Sequence, residues 1–231
     1  MNKLLFTSFF FISTIFTLSC NNEYLVKGNT CNFFDGSNVY LKSFADGKWT
    51  TIDSCEILHG KFQMSGVAEA ASVTTLFIDN EAIIPIVLEE GSINIDIEAR
   101  NVTLDGTTLN RQLSQFFRQK DYYEQLMLDL EREEASLILD GHTAQNANAA
   151  IQERMTKIDR ELETYIENFI KKHYNNVLGP CIFQLLCSSL PYPIMTEQIN
   201  RIIEQAPENF LADSFVESFI VAARENSMLT E

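Results

Sequence analysis

An α+β fold is predicted by three features: short alternating or β-branched runs punctuated by turn residues, a later stretch with apolar residues at helical spacing, and a change of period near residue 106. The first part predicts an N-terminal antiparallel β-sandwich or partly open barrel. The second predicts a long helical hairpin followed by shorter C-terminal helices. About 212 residues follow the N-terminal apolar run, and 45% of the chain is apolar, enough for a sizeable core.

Residues 1–19 read as a signal peptide. Lys3 precedes an uncharged run of sixteen residues, 4–19, and the polar Asn21, Asn22 and Glu23 follow Cys20. The run is shorter than the roughly 20 apolar residues that span a bilayer, so it matches the h-region of a secretory signal. Thr17-Leu18-Ser19-Cys20 loosely follows the bacterial lipobox, with Thr where Leu is usual, and makes Cys20 the expected lipid attachment site. The alternatives are an ordinary cleaved signal, or an uncleaved anchor, with Cys20 incidental. Acyl chains on Cys20 would hold the protein at a membrane, each buried methylene contributing about 0.8 kcal/mol. Residues 20–23 then form the lipidated cysteine and a tether of roughly 10 Å when extended. Loss of residues 1–19 removes Lys3 and no acid, moving the formal charge from −15 to −16. Such an acidic body is repelled by nucleic acid and anionic headgroups, so no nucleic-acid partner is expected and the anchor must make the membrane contact.

Residues 24–106 form the β-rich unit. Asn38-Val39-Tyr40-Leu41, Thr50-Thr51-Ile52, Phe62-Gln63-Met64 and residues 92–97 are its clearest strands. Asp35-Gly36, Asp46-Gly47, His59-Gly60, Asp79-Asn80 and Glu90-Gly91 mark turns, giving seven or eight strands. Pro85 fits an edge or a bulge but not a central strand.

Residues 107–231 form the helical unit. Thr107 or Thr108 caps a helix whose apolar stripe carries Leu109, Leu113, Phe116, Tyr123, Met127, Leu130 and Leu137. After a break at Asp140-Gly141-His142, a second stripe carries Ile151, Met155, Ile158, Leu162, Tyr165 and Phe169. An internal antiparallel hairpin is favoured over a dimer zipper, since Lys120 and Glu134 interrupt the first seam. Shorter helices are expected at 176–189, 194–206 and 208–226, divided by Pro191, Pro193 and Pro207.

Chemistry-bearing constellations are sparse. Cys31 and Cys55 flank a hairpin and form a candidate disulfide, while Cys181 and Cys187 lie about 9 Å apart along one helix and read as small buried hydrophobes. Four cysteines allow three complete pairings, and the sequence does not choose among them. No Cys-x-x-Cys occurs, which removes the usual dithiol apparatus. His59, His142 and His173 belong to no metal motif; His142 falls in the helix-helix loop, and His173 sits where a cation favours a helix C-terminus. Asp53-Ser54 reads as a strand-to-turn polar pair, and Glu131, Glu133 and Glu134 as a solvated helix face. No phosphate loop is present, and no catalytic residue, metal or cofactor is indicated. Phe33, Phe34, Trp49, Phe116, Phe117, Tyr122 and Tyr123 could line a ligand groove, with core packing the default. A functional surface is expected where the β unit meets the long helical pair.

Ile52-Asp53-Ser54, Gly60-Lys61-Phe62, Glu89-Glu90-Gly91, Gly106-Thr107-Thr108-Leu109-Asn110 and Asn176-Val177-Leu178-Gly179-Pro180 occur in that order. In this the chain resembles the N-terminal half of TlpA-like AhpC/TSA thioredoxin-family lipoproteins of Gram-negative anaerobes. In those, a β-rich domain of unknown function and a helical insert precede a thioredoxin-like domain, which is missing here. The resemblance implies an envelope location, outer membrane favoured over inner, and a redox-related neighbourhood. The expected function is a lipid-anchored, non-catalytic binding or assembly module, with an envelope protein, such as a thioredoxin-like one, as partner. The alternatives are a thiol-disulfide redox protein or a truncated remnant of a TlpA-like oxidoreductase.

Overall fold

Alternating burial builds the β unit. In the computed structural model, which describes residues 22–45, 47–99 and 101–228, Tyr24 and Val26 of the first strand are buried while Glu23 and Lys27 are exposed. Cys20 and residues 1–19 lie outside the described residues. Eight strands follow in order: β1 (Glu23–Thr30), β2 (Asn38–Ala45), β3 (Lys48–Glu56), β4 (Lys61–Val67), β5 (Ser72–Ile78), β6 (Glu81–Leu88), β7 (Gly91–Glu98) and β8 (Asn101–Asp105). They form two four-stranded sheets, ordered β4-β1-β7-β8 and β3-β2-β5-β6. Val26, Ile93 and Ile95 from one sheet and Val39, Leu41, Leu76 and Ile86 from the other are almost fully buried in one core. Burying an aliphatic side chain of this kind contributes about 1.5–3 kcal/mol.

The sandwich differs from an all-antiparallel one at a single ladder. β1 and β7 run parallel, with Val26 opposite Ile93. The whole second sheet lies between them in sequence, supplying the long crossover a parallel pair requires. At the β3–β4 corner a Leu58–Lys61 bridge carries the chain from one sheet to the other.

Pro85 lies on β6, an edge strand, as its missing N–H demands. Pro85 faces Thr75 and Val87 faces Val73, so both belong to the same alternating set along the strand. The Val87 N–H and C=O are both taken by Asn110, placing that set's backbone groups on the free edge. Between Pro85 and Asn110 the β6 edge offers no continuous template for another strand.

Two antiparallel helices follow, α1 (Thr108–Leu139) and α2 (Ala144–Lys172), joined across Asp140, Gly141, His142 and Thr143. Phe116 stacks on Tyr165 at 5.6 Å and meets Phe169 at 4.7 Å, closing the base of the hairpin. Farther out only Leu130, Ala147 and Ile151 are fully buried, and Tyr123, Met127 and Leu137 are half-buried. A two-helix arm has no third element to cover the flanks of its seam.

The chain ends in α3 (Leu178–Ser188), α4 (Glu197–Ile203), α5 (Glu208–Leu211) and α6 (Ser214–Met228). The single helix expected at 208–226 is instead two, because Asp213 Oδ1 accepts from the Phe215 and Val216 N–H groups and starts a new helix. Ile170, Leu178, Ile182, Phe183 and Phe210 belong to the same hydrophobic core as Ile86 and Val87. The change of period near residue 106 is thus a change of secondary structure across which the core continues.

Candidate functional site

The residue groups singled out in the sequence are first of all structural. Gly106 has φ +115°, and a Cβ there would lie 1.9 Å from the Ser92 carbonyl oxygen. That turn delivers Thr107, whose hydroxyl accepts from Asn110 Nδ2 at 2.7 Å instead of capping the backbone. Glu89 Oε1 does the capping, accepting from the Leu109 N–H at 2.9 Å. Asn110, fully buried, receives the Val87 N–H at 2.9 Å and donates to the Val87 carbonyl at 2.7 Å. Two separate sequence segments, 89–91 and 106–110, therefore meet as a clamp that fastens α1 to β6. Asp53 has a comparable role, with Oδ2 accepting from the Tyr24 hydroxyl at 3.0 Å. Burial, then the Asp53 bond and charge, push the Tyr24 phenol up to about 12. Asn176 Oδ1 accepts from the Leu178 N–H at the start of α3.

The titratable groups do not assemble a reactive centre. Cys31 and Cys55 are both free thiols. Cys31 is exposed after β1 and donates to Asn32 Oδ1, whereas Cys55 sits half-buried on β3 in the other sheet, and the candidate pair is unbridged. Burial raises the Cys55 thiol, and pushes Cys181 and Cys187 up to about 12, away from the thiolate. His173 departs from the cationic reading of the sequence. It is buried, its ring tilted against Phe169 at 4.4 Å, and its Nε2 has no partner among the described residues. Desolvation, then the neighbouring Lys172 charge, lowers its affinity for a proton. His142 is exposed in the hairpin loop, and His59 lies 3.5 Å from Asp35 in the β3–β4 turn. Glu133 pairs with Arg154 across the hairpin at 2.8 Å on a solvated face. No group of three His, Cys, Asp or Glu among the described residues could hold a metal ion.

What the fold does build is a cleft of about 800 Å³ between the β3-β2-β5-β6 sheet and the short helices α3, α5 and α6. This cleft lies against the short helices, away from the long helical pair at which the sequence predicts a functional surface. Lys42, Phe44, Trp49 and Thr75 line the sheet side, and Asn175, Gln184, Leu185 and Phe215 the helical side. Trp49 is 50% exposed, yet its ring is braced by Phe44 at 5.0 Å and edge-on by Phe77 at 4.9 Å. The Lys42 ammonium lies over the Phe77 ring at 4.5 Å. Among the described residues of the lining the charged ones are Lys42 and Asp213, and Asp213 Oδ1 is occupied in capping α6.

Residues 24–113 match DUF4369, a domain of unknown function. The matched segment covers the eight strands apart from Glu23 of β1, together with the start of α1, so it takes in the clamp up to Asn110 and the buried Leu113. No curated protein matches the chain. Within that segment lie the sheet wall of the cleft and Trp49; the helical wall comes from outside it.

A second depression, about 950 Å³, runs along α2 between Tyr123, Lys157, Arg160 and Tyr165. Lys157 and Arg160 are exposed and long, so its walls are solvated side chains instead of packed ones. Of the aromatics named from sequence, Phe116 is core, Phe34 and Tyr122 are exposed, and Trp49 shapes the cleft. Lys42, Asn175 and Gln184 carried no local signal, because strands and helices distant in sequence bring them together.

Proposed function

We propose that this chain is a lipid-anchored, non-catalytic binding or assembly module of the bacterial cell envelope. The observation that carries the binding role is the cleft, whose lining joins a braced but half-exposed Trp49 to Asn175 and Gln184, with side-chain amides that bond to no described residue. The anchor reading rests on residues 4–19 and Cys20, and the envelope reading on that address and the TlpA-like resemblance. The non-catalytic reading is supported by how the polar groups are used. Asn110, Glu89 and Asp53 hold backbone or tyrosine partners, and the three raised thiols are poor nucleophiles.

Membrane fractionation and affinity capture from intact envelopes test both halves, comparing the wild type with Cys20→Ala and Trp49→Ala. Cys20→Ala should leave the membrane fraction, and Trp49→Ala should stay there but lose its bound component. Retention of Cys20→Ala in the membrane would refute the anchor, and unchanged capture by Trp49→Ala would refute the cleft as the binding surface.

One observation supports an accessory role beside a thioredoxin-like protein. Cys31 is an exposed thiol within reach of a partner's disulfide chemistry. A mixed disulfide lost specifically in Cys31→Ser is the expected result of trapping, and its absence would remove that reading.

A further inference from the structure

We infer that the cleft beside Trp49 binds a neutral oligosaccharide. The inference rests on the binding-module reading and names its ligand class.

Charge is the first argument. The chain carries a formal charge of −15, and among the described residues of the cleft lining the charged side chains are Lys42 and Asp213, the latter capping α6 through Oδ1. An anionic ligand would meet a repulsive body with a single compensating base among the described lining residues. A neutral ligand avoids that repulsion.

The surface chemistry narrows the class further. Pyranose rings present apolar C–H faces and a rim of hydroxyls, so a site for them pairs an aromatic face with amides and hydroxyls that both donate and accept. Trp49 and Phe44 provide half-exposed aromatic surface on paired strands, with Trp49 edge-on to Phe77. Asn175 and Gln184 face the cleft with side-chain amides that bond to no described residue, and Ser43 and Ser72 add hydroxyls. By contrast, Asn176 and Asn209 in the same lining are already bonded, to His173 and to the Tyr174 carbonyl.

An extended peptide is the main competitor, and the fold discourages its usual mode. Strand addition at β6, whose Pro85 lines the cleft, meets a missing N–H there and Val87 groups already taken by Asn110.

The test uses the purified full chain in detergent with neutral maltoheptaose, xylohexaose, mannohexaose and chitohexaose, beside polygalacturonate and a proline-rich peptide. Trp49 is the only tryptophan in the sequence, so its emission reports on the cleft directly. At least one neutral oligosaccharide should give a saturable emission change and calorimetric heat, with Kd between about 10 μM and 1 mM. Trp49→Ala should weaken that binding by about tenfold or more in calorimetry, while Trp49→Phe stays within about threefold. Matched circular dichroism and thermal unfolding of the variants keep a folding defect apart from a lost contact. No saturable heat from any neutral oligosaccharide up to about 10 mM overturns the inference, as does tighter binding of polygalacturonate or the peptide. If sugars are silent but an envelope component is still captured through Trp49, the glycan assignment fails and the binding module stands. If neither depends on Trp49, both fail.

Discussion

Asn110→Ala is expected to be the most informative single perturbation of this fold. Its amide answers both backbone groups of Val87 at a site with no solvent exposure, at 2.9 and 2.7 Å, and also holds Thr107. Truncation leaves a buried N–H and a buried C=O without partners, each costing about 1–3 kcal/mol, so a loss of about 4 kcal/mol is expected. With a urea m-value of about 2 kcal/mol/M, the unfolding midpoint should fall by about 2 M. Trp49 emission and far-ultraviolet circular dichroism should both report that fall. Thr107→Val removes one contact at the edge of the clamp and should lower the midpoint by only about 0.5 M. Asn110→Asp keeps the acceptor for the Val87 N–H but sets a carboxylate against the Val87 carbonyl. It should be strongly destabilised at neutral pH and regain part of the loss, relative to wild type, as acid restores a donor. A midpoint shift below about 0.3 M for Asn110→Ala would refute the clamp as a stabilising element.

Gly106→Ala and Gly36→Ala form a matched pair, since both positions have positive φ but only Gly106 lies against another backbone. Thermal unfolding should show a loss of about 1 kcal/mol at Gly36, from conformation alone, and at least about 3 kcal/mol at Gly106; equal losses would remove the close approach to Ser92 as the cause. His173 binds its proton less readily when folded than at its ordinary value of 6.5, so the unfolded chain takes up more protons below that pH. Its stabilising contribution is complete above about pH 6.5 and is lost as pH falls, with a limiting slope of about 1.4 kcal/mol per pH unit. His173→Gln should therefore flatten the acid limb of a stability-pH curve, and an unchanged limb would contradict the buried neutral histidine. Among the described cysteines, peptide mapping after brief alkylation at pH 8 should find Cys31 labelled first, Cys55 more slowly, and Cys181 and Cys187 only on unfolding. Early labelling of Cys181 would contradict its burial.

Much of the architecture is legible in the sequence because its signals are local. The alternation of Ile93, Ile95 and Ile97 marks a half-buried strand without reference to any partner, and Asp140-Gly141 interrupts the helical period by its own turn chemistry. Pro85 requires an edge because it lacks a donor. The break between α5 and α6 was also local, in the capping tendency of Asp213, but the run of apolar residues around it concealed the new start.

The sequence by itself determined the α+β class, the order of elements and the acidic charge, all of which depend on composition or on neighbours within a few turns of chain. Only the tertiary structure decided that β1 and β7 lie parallel, that Asn110 fastens α1 to an edge strand, and that His173 is buried against Phe169. It alone brought Trp49, Asn175 and Gln184 into the lining of one cleft. Those relations join residues tens to more than a hundred positions apart, and hydrophobic packing together with backbone hydrogen-bond satisfaction selects them after the local elements have formed.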